Sequence, residues 1–331
     1  MNIESCPANK RRRRAMLIFN PIAGAADQSP VQLLDIINAM QAWRLVPETY
    51  LVEPECDLST VIQGALQRGI RLFVVCGGDG TIESVAGALI GTHATLGIIP
   101  TGTQNNVALS LGIPRSIPAA VALLRAGRRI KIDVGVACCQ CASGREITRR
   151  FLETCSVGLI SALYPVVDDI QHGNLARIGD LLATLITYPS ADIHLEMDGP
   201  GGRELHTKAH VVFIANLPYV GPHYPIAVKS SYTDGLLDVL VFADFTKLDL
   251  LSHAVRVAGG SRDDPRISRY RVRRIKIHTD PPMPVIADGF PLGEGPLTIR
   301  IERRALGVMV GGKAKTPVTA EKKKVEMATD E

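Results

Sequence analysis

Apolar and polar positions are patterned in two different ways along this chain, and the change falls near residue 130. Before it, short apolar runs are separated by longer segments in which apolar residues recur at helical spacing. The predicted strands lie at 16–19, 44–52, 72–76 and 97–100. The predicted helices lie at 31–40, 58–68, 82–89 and 117–126. Strands that alternate with helices favour a parallel sheet covered by helices, so we predict a Rossmann-like α/β domain at 15–130.

After residue 130, apolar and polar residues alternate, and turn residues separate many short segments. Strands are expected at 130–136, 150–156, 193–197, 209–215, 237–242, 272–278, 284–287 and 297–302. One helix is expected, at 175–187. This pattern favours an antiparallel β-sandwich or barrel domain at 131–312. The two ends, a basic leader at 1–14 and a Lys/Glu/Thr-rich tail at 313–331, are predicted to be disordered.

Two of the predicted strands in the first half run directly into glycine-rich turns. The turns are Gly77-Gly78-Asp79-Gly80-Thr81 and Thr101-Gly102-Thr103-Gln104-Asn105. Glycine lets the backbone approach a ligand, and a helix N-terminus carries partial positive charge, so a strand–turn–helix of this kind suits a phosphate. Asp79 would be repelled by a phosphate unless it holds Mg²⁺ or takes a proton. For one such motif alone, a structural turn with an N-cap Asp is the alternative.

Composition narrows the class of protein. A length of 331 residues suggests two domains, and the net charge of +4, with few aromatic residues, gives no reason to expect a nucleic-acid partner. No apolar run approaches the roughly 18 residues of a membrane-spanning helix or forms a signal-peptide core, which predicts a cytoplasmic protein. Cys138, Cys139 and Cys141 could ligate a metal, but no second cluster has suitable spacing, and reduced structural cysteines are expected.

Five motifs, in order, resemble the diacylglycerol kinase catalytic-domain family, which includes sphingosine kinases and bacterial lipid kinases and is distantly related to NAD kinases. The motifs are Asn20-Pro21-Ile22-Ala23-Gly24, residues 77–83, residues 100–105, residues 233–239 and Asp288-Gly289. The resemblance implies an ATP-binding α/β domain followed by a β-rich domain that receives a lipid. The ATP-binding residues it implies are Asn20, Pro21, Gly24, Gly77, Gly78, Asp79, Gly80, Thr81, Glu83, Thr101, Gly102, Thr103 and Asn105.

The resemblance also implies metal ions and a base. Asp79 would coordinate Mg²⁺ or activate the accepting hydroxyl. Related bacterial lipid kinases carry a structural Mg²⁺ at the Thr-Asp-Gly motif, which implies Ser231, Asp234 and Leu236 as its ligands here. The last motif of the family is Asp-Gly-Glu, and its Glu is often taken as the proton acceptor, whereas this chain has Phe290 there. Asp79 or Asp288 would then serve as the base, or Glu294 would replace it, or activity would be weak.

The expected function is that of an ATP- and Mg²⁺-dependent lipid kinase acting on a hydroxyl of a diacylglycerol-like or sphingoid lipid. Two alternatives stay open. One is an NAD kinase-like enzyme with the same Gly-Gly-Asp-Gly turn, and the other is a nucleotide- or lipid-binding regulator that has lost catalysis, for which Phe290 is the reason. The expected partner is a lipid substrate at a membrane surface, with peripheral contact at the inner face of the membrane. No nucleic acid is expected, and a homodimer is left open.

Overall fold

The computed structural model describes residues 11–24, 29–141, 144–171, 173–199, 202–220, 224–225, 227, 230–243, 245–258, 264 and 266–311. The chain divides into two compact units: Met1–Ile132 with Ala305–Glu331, and Asp133–Arg304. The predicted boundary at 130/131 lies close to the first division. The predicted tail at 313–331 and most of the predicted leader lie outside the described residues.

The first unit contains a parallel sheet flanked by helices. Its strands are β1 (Arg13–Phe19), β2 (Leu45–Leu51), β3 (Leu72–Gly77) and β4 (Thr95–Pro100). Its helices are α1 (Ser29–Ala42), α2 (Leu58–Gln67), α3 (Asp79–Leu89), α4 (Asn106–Ser110) and α5 (Ile117–Ala126). The strand order is β2-β1-β3-β4, and each neighbouring pair is parallel. Every residue of β3 and β4 is buried, as expected where helices cover both faces of a parallel sheet.

The prediction differs from the structure at both ends of this unit. The first strand begins at Arg13, so the end of the predicted leader is part of the sheet. The predicted second domain extended to 312, whereas the chain from Ala305 onwards belongs to the first unit. The reason is a long strand, β17 (Leu297–Val310), which pairs in parallel with β4 through Val308 and Leu96. The local sequence pattern does not indicate that a strand late in the chain pairs with the parallel sheet of the first unit.

The second unit is mainly antiparallel, which confirms the predicted fold class. Its strands are β5 (Arg128–Gln140), β6 (Glu146–Phe151), β7 (Thr154–Gly158), β8 (Ala191–Asp198), β9 (Arg203–Ala215), β10 (Tyr219–Val220), β11 (Tyr224–Pro225), β12 (Leu237–Ala243), β13 (Ser268–Val272), β14 (Arg274–Asp280), β15 (Pro284–Ala287) and β16 (Phe290–Glu294). The order β14-β8-β9-β7-β15-β16 is antiparallel throughout. Alternate side chains such as Leu195, Val212 and Ile275 form its apolar core.

Three helices are described in the second unit, where the sequence predicted one. They are α6 (Leu159–Gln171), α7 (Ile178–Thr187) and α8 (Lys247–Ala258), and a 3-10 turn at Leu175–Arg177 precedes α7. Helix α6 was missed because Pro165 lies inside it, and proline is disfavoured in a helix interior. The predicted strand at 150–156 is two strands, because the backbone turns at Leu152 and Glu153 to donate hydrogen bonds to a carboxylate rather than to a neighbouring strand.

Candidate nucleotide site and its carboxylate anchors

Three loops meet at the carboxyl edge of the parallel sheet in the first unit. They follow β1, β3 and β4, and they contain the three early motifs of the sequence. The N–H of Asn20 donates to the carbonyl oxygen of Cys76 at 2.9 Å, and its side-chain amide donates to Oγ1 of Thr81 at 2.9 Å. The N–H of Thr101 donates to the carbonyl oxygen of Gly77 at 3.4 Å. Ligands of open parallel sheets bind at this edge, so the three motif loops lie where the predicted nucleotide site would be.

Backbone packing explains two of the glycine positions in these loops. A Cβ at Gly102 would lie 2.4 Å from Cα of Gly78, so the two glycine turns touch through their backbones. Gly24 has a φ of +73°, and a Cβ there would lie 2.2 Å from the carbonyl oxygen of Thr101. Gly80 is different: it is exposed, and a Cβ built on it meets nothing within 4 Å. Packing therefore accounts for Gly24 and Gly102, while Gly80 leaves open space in front of the turn.

Asp79 connects the two glycine turns. It is the first residue of α3, and its carboxylate accepts the N–H of Asn106 on Oδ2 at 3.0 Å and that of Val107 on Oδ1 at 3.1 Å. These are the first two residues of α4, so Asp79 caps the helix that follows the other turn. The expected alternative, an Asp that caps its own helix, is therefore replaced by a cap across the two turns. Removing such a cap costs about 1 kcal/mol or more.

Asn105 precedes α4 but does not cap it. It has a left-handed backbone, with φ of 59°, and its side chain closes the second turn instead. Its Oδ1 accepts the N–H of Gly102 at 3.0 Å, and its Nδ2 donates to the carbonyl oxygen of Gly102 at 2.5 Å. The prediction that Asn105 supports this turn agrees with these contacts. Asparagine tolerates the left-handed region better than most residues, which explains why an asparagine can occupy position 105.

The electrostatics around the turns favour an anion. The N-terminus of α3 carries the partial positive charge of the helix dipole, and the N–H groups of Thr81 and Ile82 there donate to the carbonyl oxygen of Gly78. Burial raises the pKa of the Cys76 thiol to about 12, so this side chain beneath the turns stays neutral, with its Sγ 3.5 Å from Oγ1 of Thr101. Thr103 is exposed, and Thr81 and Glu83 are half-buried. Hydroxyls and backbone amides thus line the exposed part of this surface.

Asp288, predicted as a catalytic residue, has a structural role in the second unit. With Gly289 it forms a two-residue hairpin turn between β15 and β16, and both residues have positive φ, 42° and 78°. Its carboxylate accepts N–H groups from Leu152 at 2.5 Å, Glu153 at 3.0 Å and Thr154 at 2.8 Å. A base with this role would have to break those bonds to turn its oxygens towards a substrate. Asp288 thus anchors this hairpin, and the catalytic role assigned to it stays a prediction.

Phe290 lies next to this anchor, on the exposed start of β16. Its ring is 42% exposed, and the Arg149 guanidinium carbon lies 4.6 Å from the ring centroid. This is a cation–π contact, which contributes about 0.5–1 kcal/mol at an exposed site. The position at which the family has an acid thus carries an aromatic ring paired with a cation. Glu294, the proposed substitute base, lies at the exposed far end of the same strand.

The predicted metal ligands Ser231, Asp234 and Leu236 share one turn before β12. One oxygen of Asp234 accepts the N–H of Leu236 at 3.0 Å, and the other contacts the guanidinium of Arg271, which also lies 3.7 Å from Asp238. Arg271 thus supplies at this carboxylate the positive charge that a divalent cation would bring. The side chains as arranged suit an arginine better than Mg²⁺. The metal assignment stays a prediction.

Sequence reasoning missed Asp133, which fixes this same turn. It is fully buried in β5, where its oxygens accept the N–H of Gly235 at 2.7 Å and that of Arg304 at 2.6 Å. The available signal was a charged residue between Ile132 and Val134, on a strand whose neighbours are apolar. Buried carboxylates need such partners. Of the cysteines at 138–141, Cys139 has a pKa raised to about 11 by burial, which disfavours the thiolate that a metal requires.

Comparisons with known proteins agree with these motifs. Residues 14–137 match the model of the diacylglycerol kinase catalytic domain, and residues 156–310 match that of the YegS C-terminal NAD kinase beta sandwich-like domain. The chain is 25% identical over 286 residues to a diacylglycerol kinase of Bacillus subtilis, covering 84% of this chain and 89% of the relative. It is 30% identical over 220 residues to the "probable lipid kinase YegS" of Shigella dysenteriae, covering 64% and 68%.

The fold has a solved counterpart. A crystal structure of a diacylglycerol kinase from Bacillus anthracis superposes with a TM-score of 0.69 at 22% identity, over 92% of this chain and 98% of that one. Among the residues that the structure describes, no helix is both long and apolar enough to cross a membrane. The ordered motifs, the α/β unit and the antiparallel unit all lead to one assignment. The chain belongs to the diacylglycerol kinase catalytic-domain family of lipid kinases.

Proposed function

We propose that this protein is an ATP-dependent lipid kinase that transfers the γ-phosphoryl group to a hydroxyl of a diacylglycerol-like or sphingoid lipid. The observation that carries the proposal is the meeting of three motif loops, 20–24, 77–81 and 101–105, at the edge of the sheet where a nucleotide would bind. Phosphates would lie against Gly80 and the N-terminus of α3, where glycine leaves room and the helix dipole is favourable. The Mg²⁺ that neutralises them would enter with ATP as part of the substrate.

Phosphoryl transfer depends more on positioning and charge neutralisation than on proton abstraction. The lipid hydroxyl forms the new P–O bond, the bond from the γ-phosphorus to the β–γ bridging oxygen breaks, ADP leaves, and the hydroxyl proton passes late to water or to an oxygen of the transferred phosphoryl group. A missing Glu at 290 is therefore compatible with transfer. Asp79 holds the second turn at a fixed distance from the first, through the amides of Asn106 and Val107, so it positions both phosphate-binding turns.

An apolar surface in the second unit supports a lipid acceptor. Ile178, Leu182 and Ile186 follow one another at four-residue spacing on α7 and are 44%, 52% and 68% exposed. Leu175, in the turn before the helix, is 64% exposed. On a helix that covers a core this stripe would be buried, whereas exposed apolar patches mark contacts with ligands, proteins or membranes. The stripe favours an acceptor taken from a lipid surface over NAD, which is a soluble and highly charged acceptor.

The test is transfer of labelled γ-phosphate from ATP, with Mg²⁺, to a panel of lipids in mixed micelles and to NAD. We expect a lipid product. Gly80→Ala should lower kcat/KM by about 100-fold, because its new methyl group would displace the phosphates by about 1 Å, while the urea midpoint stays that of the wild type. Gly87→Ala is the matched control, on the exposed side of the same helix with nothing within 4 Å of its Cβ, and should be as active as the wild type.

The outcomes separate the alternatives. Phosphorylated NAD without any lipid product would contradict the proposal in favour of an NAD kinase. ATP binding without transfer to any acceptor would favour the regulator, and a strong gain of transfer in Phe290→Glu would then identify a degenerate catalytic site. Full activity of Gly80→Ala would show that phosphates do not lie against this turn. Asp79→Asn adds a second readout, because a positioning residue should affect both KM and the urea midpoint.

A further inference from the structure

We propose that His194, Glu204 and His206 form a binding site for a transition-metal ion of the Zn²⁺, Co²⁺, Ni²⁺ and Cu²⁺ class. These residues lie in the second unit, on the adjacent antiparallel strands β8 and β9. They take no part in the nucleotide turns or in the predicted Mg²⁺ loop. The site would be separate from the Mg²⁺ that accompanies ATP, because imidazole suits these metals and Mg²⁺ prefers oxygen ligands.

Strand register places the three side chains on one face. His194 lies directly opposite His206, and Glu204 is two residues from His206 on β9, so all three point to the same side of the sheet. The two imidazole rings stack with centroids 4.0 Å apart and an interplanar angle of 11°. Because hydrogen-bonded strands hold all three backbones, few side-chain torsions remain to be ordered when an ion binds.

The ligand atoms converge. Nε2 of His194 is 2.6 Å from Oε1 of Glu204, and Nε2 of His206 is 3.5 Å from the same oxygen. One ligand atom from each residue lies within 4.8 Å of the other two. Around a tetrahedral Zn²⁺ with bonds of about 2.0–2.2 Å, ligand atoms are separated by roughly 3.3–3.5 Å. The observed separations bracket that range, so small side-chain rotations would admit an ion between the two imidazoles and the carboxylate.

Exposure of the cluster gives an ion access from solvent. The side chains of Glu204 and His206 are 62% and 72% exposed, and that of His194 is 30% exposed. Two histidines and one carboxylate provide three ligands and leave a fourth tetrahedral position for water or a further group. This donor set is the one found at zinc and other transition-metal sites with an open position. The competing explanation is a hydrogen-bonded His–Glu–His cluster without metal.

A neighbouring histidine provides a matched control. β14 pairs with the edge of β8 that does not face β9, and His278 on β14 lies directly opposite His194. His278 is therefore a histidine on the same face of the sheet. It does not belong to the group whose ligand atoms converge. A site built from the proposed three residues should be insensitive to His278→Ala, whereas nonspecific binding to a row of surface histidines would respond to that change as well.

The experiment titrates the full-length protein with Zn²⁺ and Ni²⁺ by calorimetry, and records the Cu²⁺ complex by electron paramagnetic resonance. We expect one ion per chain, nitrogen couplings from two imidazoles, and a loss of affinity of at least about tenfold in each of His194→Ala, His206→Ala and Glu204→Gln. His278→Ala should bind as the wild type does. Urea midpoints of the metal-free variants close to that of the wild type will show that the strands are intact.

Three outcomes would overturn the inference. The first is no binding at millimolar metal. The second is binding that the three variants leave unchanged, which would move the site to other groups such as the cysteines. The third is an equal loss in His278→Ala, which would indicate adventitious binding to surface histidines. An ion seen by anomalous diffraction between His194, His206 and Glu204 would support it independently of affinity.

Discussion

Gly102→Ala is predicted to separate the two glycine turns of the proposed nucleotide site. The new Cβ would lie 2.4 Å from Cα of Gly78 and 3.0 Å from its backbone nitrogen. Carbon atoms pack at roughly 3.5–4.0 Å, so one turn must move by about 1 Å, and no flexible side chain can give way. Overpacking of this kind costs about 1–3 kcal/mol, which lowers the ratio of folded to unfolded protein by about 5- to 150-fold. The same movement strains the hydrogen bonds that the N–H groups of Asn106 and Val107 donate to the Asp79 carboxylate.

Urea denaturation and ATP binding measure the two effects separately. We expect a lower urea midpoint for Gly102→Ala and, among molecules that remain folded, an ATP affinity at least about tenfold lower. Gly78→Ala is the matched control in the facing turn, because its Cβ would meet Cα of Gly102 at an ordinary 3.5 Å. It should unfold close to the wild type. Equal midpoints and equal ATP affinities for Gly102→Ala and the wild type would refute the packing of the two turns.

Two further predictions concern carboxylates of the second unit. Asp288→Asn replaces an acceptor oxygen by an N–H₂ group that faces three backbone donors. It should lower the free energy of unfolding in urea by about 1–3 kcal/mol, while the folded fraction stays active. Loss of activity at unchanged stability would instead support a catalytic role for Asp288. Hydrogen bonds from the Arg266 guanidinium lower the pKa of Asp249 to about 2 and hold the pKa of Asp264 well below its ordinary range. Their contribution to stability is therefore complete above pH 4 and is lost as the pH falls towards about 2. Thermal unfolding across this range should be less pH-dependent for Asp264→Asn, and equal slopes would contradict the assignment.

The long-range contacts of Asp288 and Phe290 bear on how the proposed reaction could proceed. An acid in a family motif suggests a catalytic base. In the last motif of this chain, where Phe290 replaces the Glu of the family, Asp288 is the one acid left. In the folded protein its three N–H donors come from residues 152–154, more than a hundred positions earlier in the chain. The neighbouring Phe290 pairs with Arg149 from a different strand. A dissociative phosphoryl transfer tolerates this arrangement better than a reaction that begins with proton abstraction.

The sequence by itself determined most elements of the first unit and the sheet edge at which the proposed nucleotide site would lie. The apolar run at 72–76, followed by glycines and a helical segment, predicted β3, its turn and α3 because strand burial, glycine freedom and helix periodicity are local properties. The same reasoning located the second turn after β4. Since parallel strands end at a common edge, the sequence could also place the two turns near each other.

Only the tertiary structure decided what individual residues do. Gly102 is required because it touches Gly78, Asp79 caps a helix that begins 27 residues later, and Asp288 anchors a distant backbone segment. The return of β17 to β4, and the convergence of His194, Glu204 and His206, likewise arise from strand register. A one-dimensional pattern shows which face a residue prefers, but not which distant backbone group will lie within 3 Å of it. Those distances are set by how the strands pair, which is a property of the folded chain.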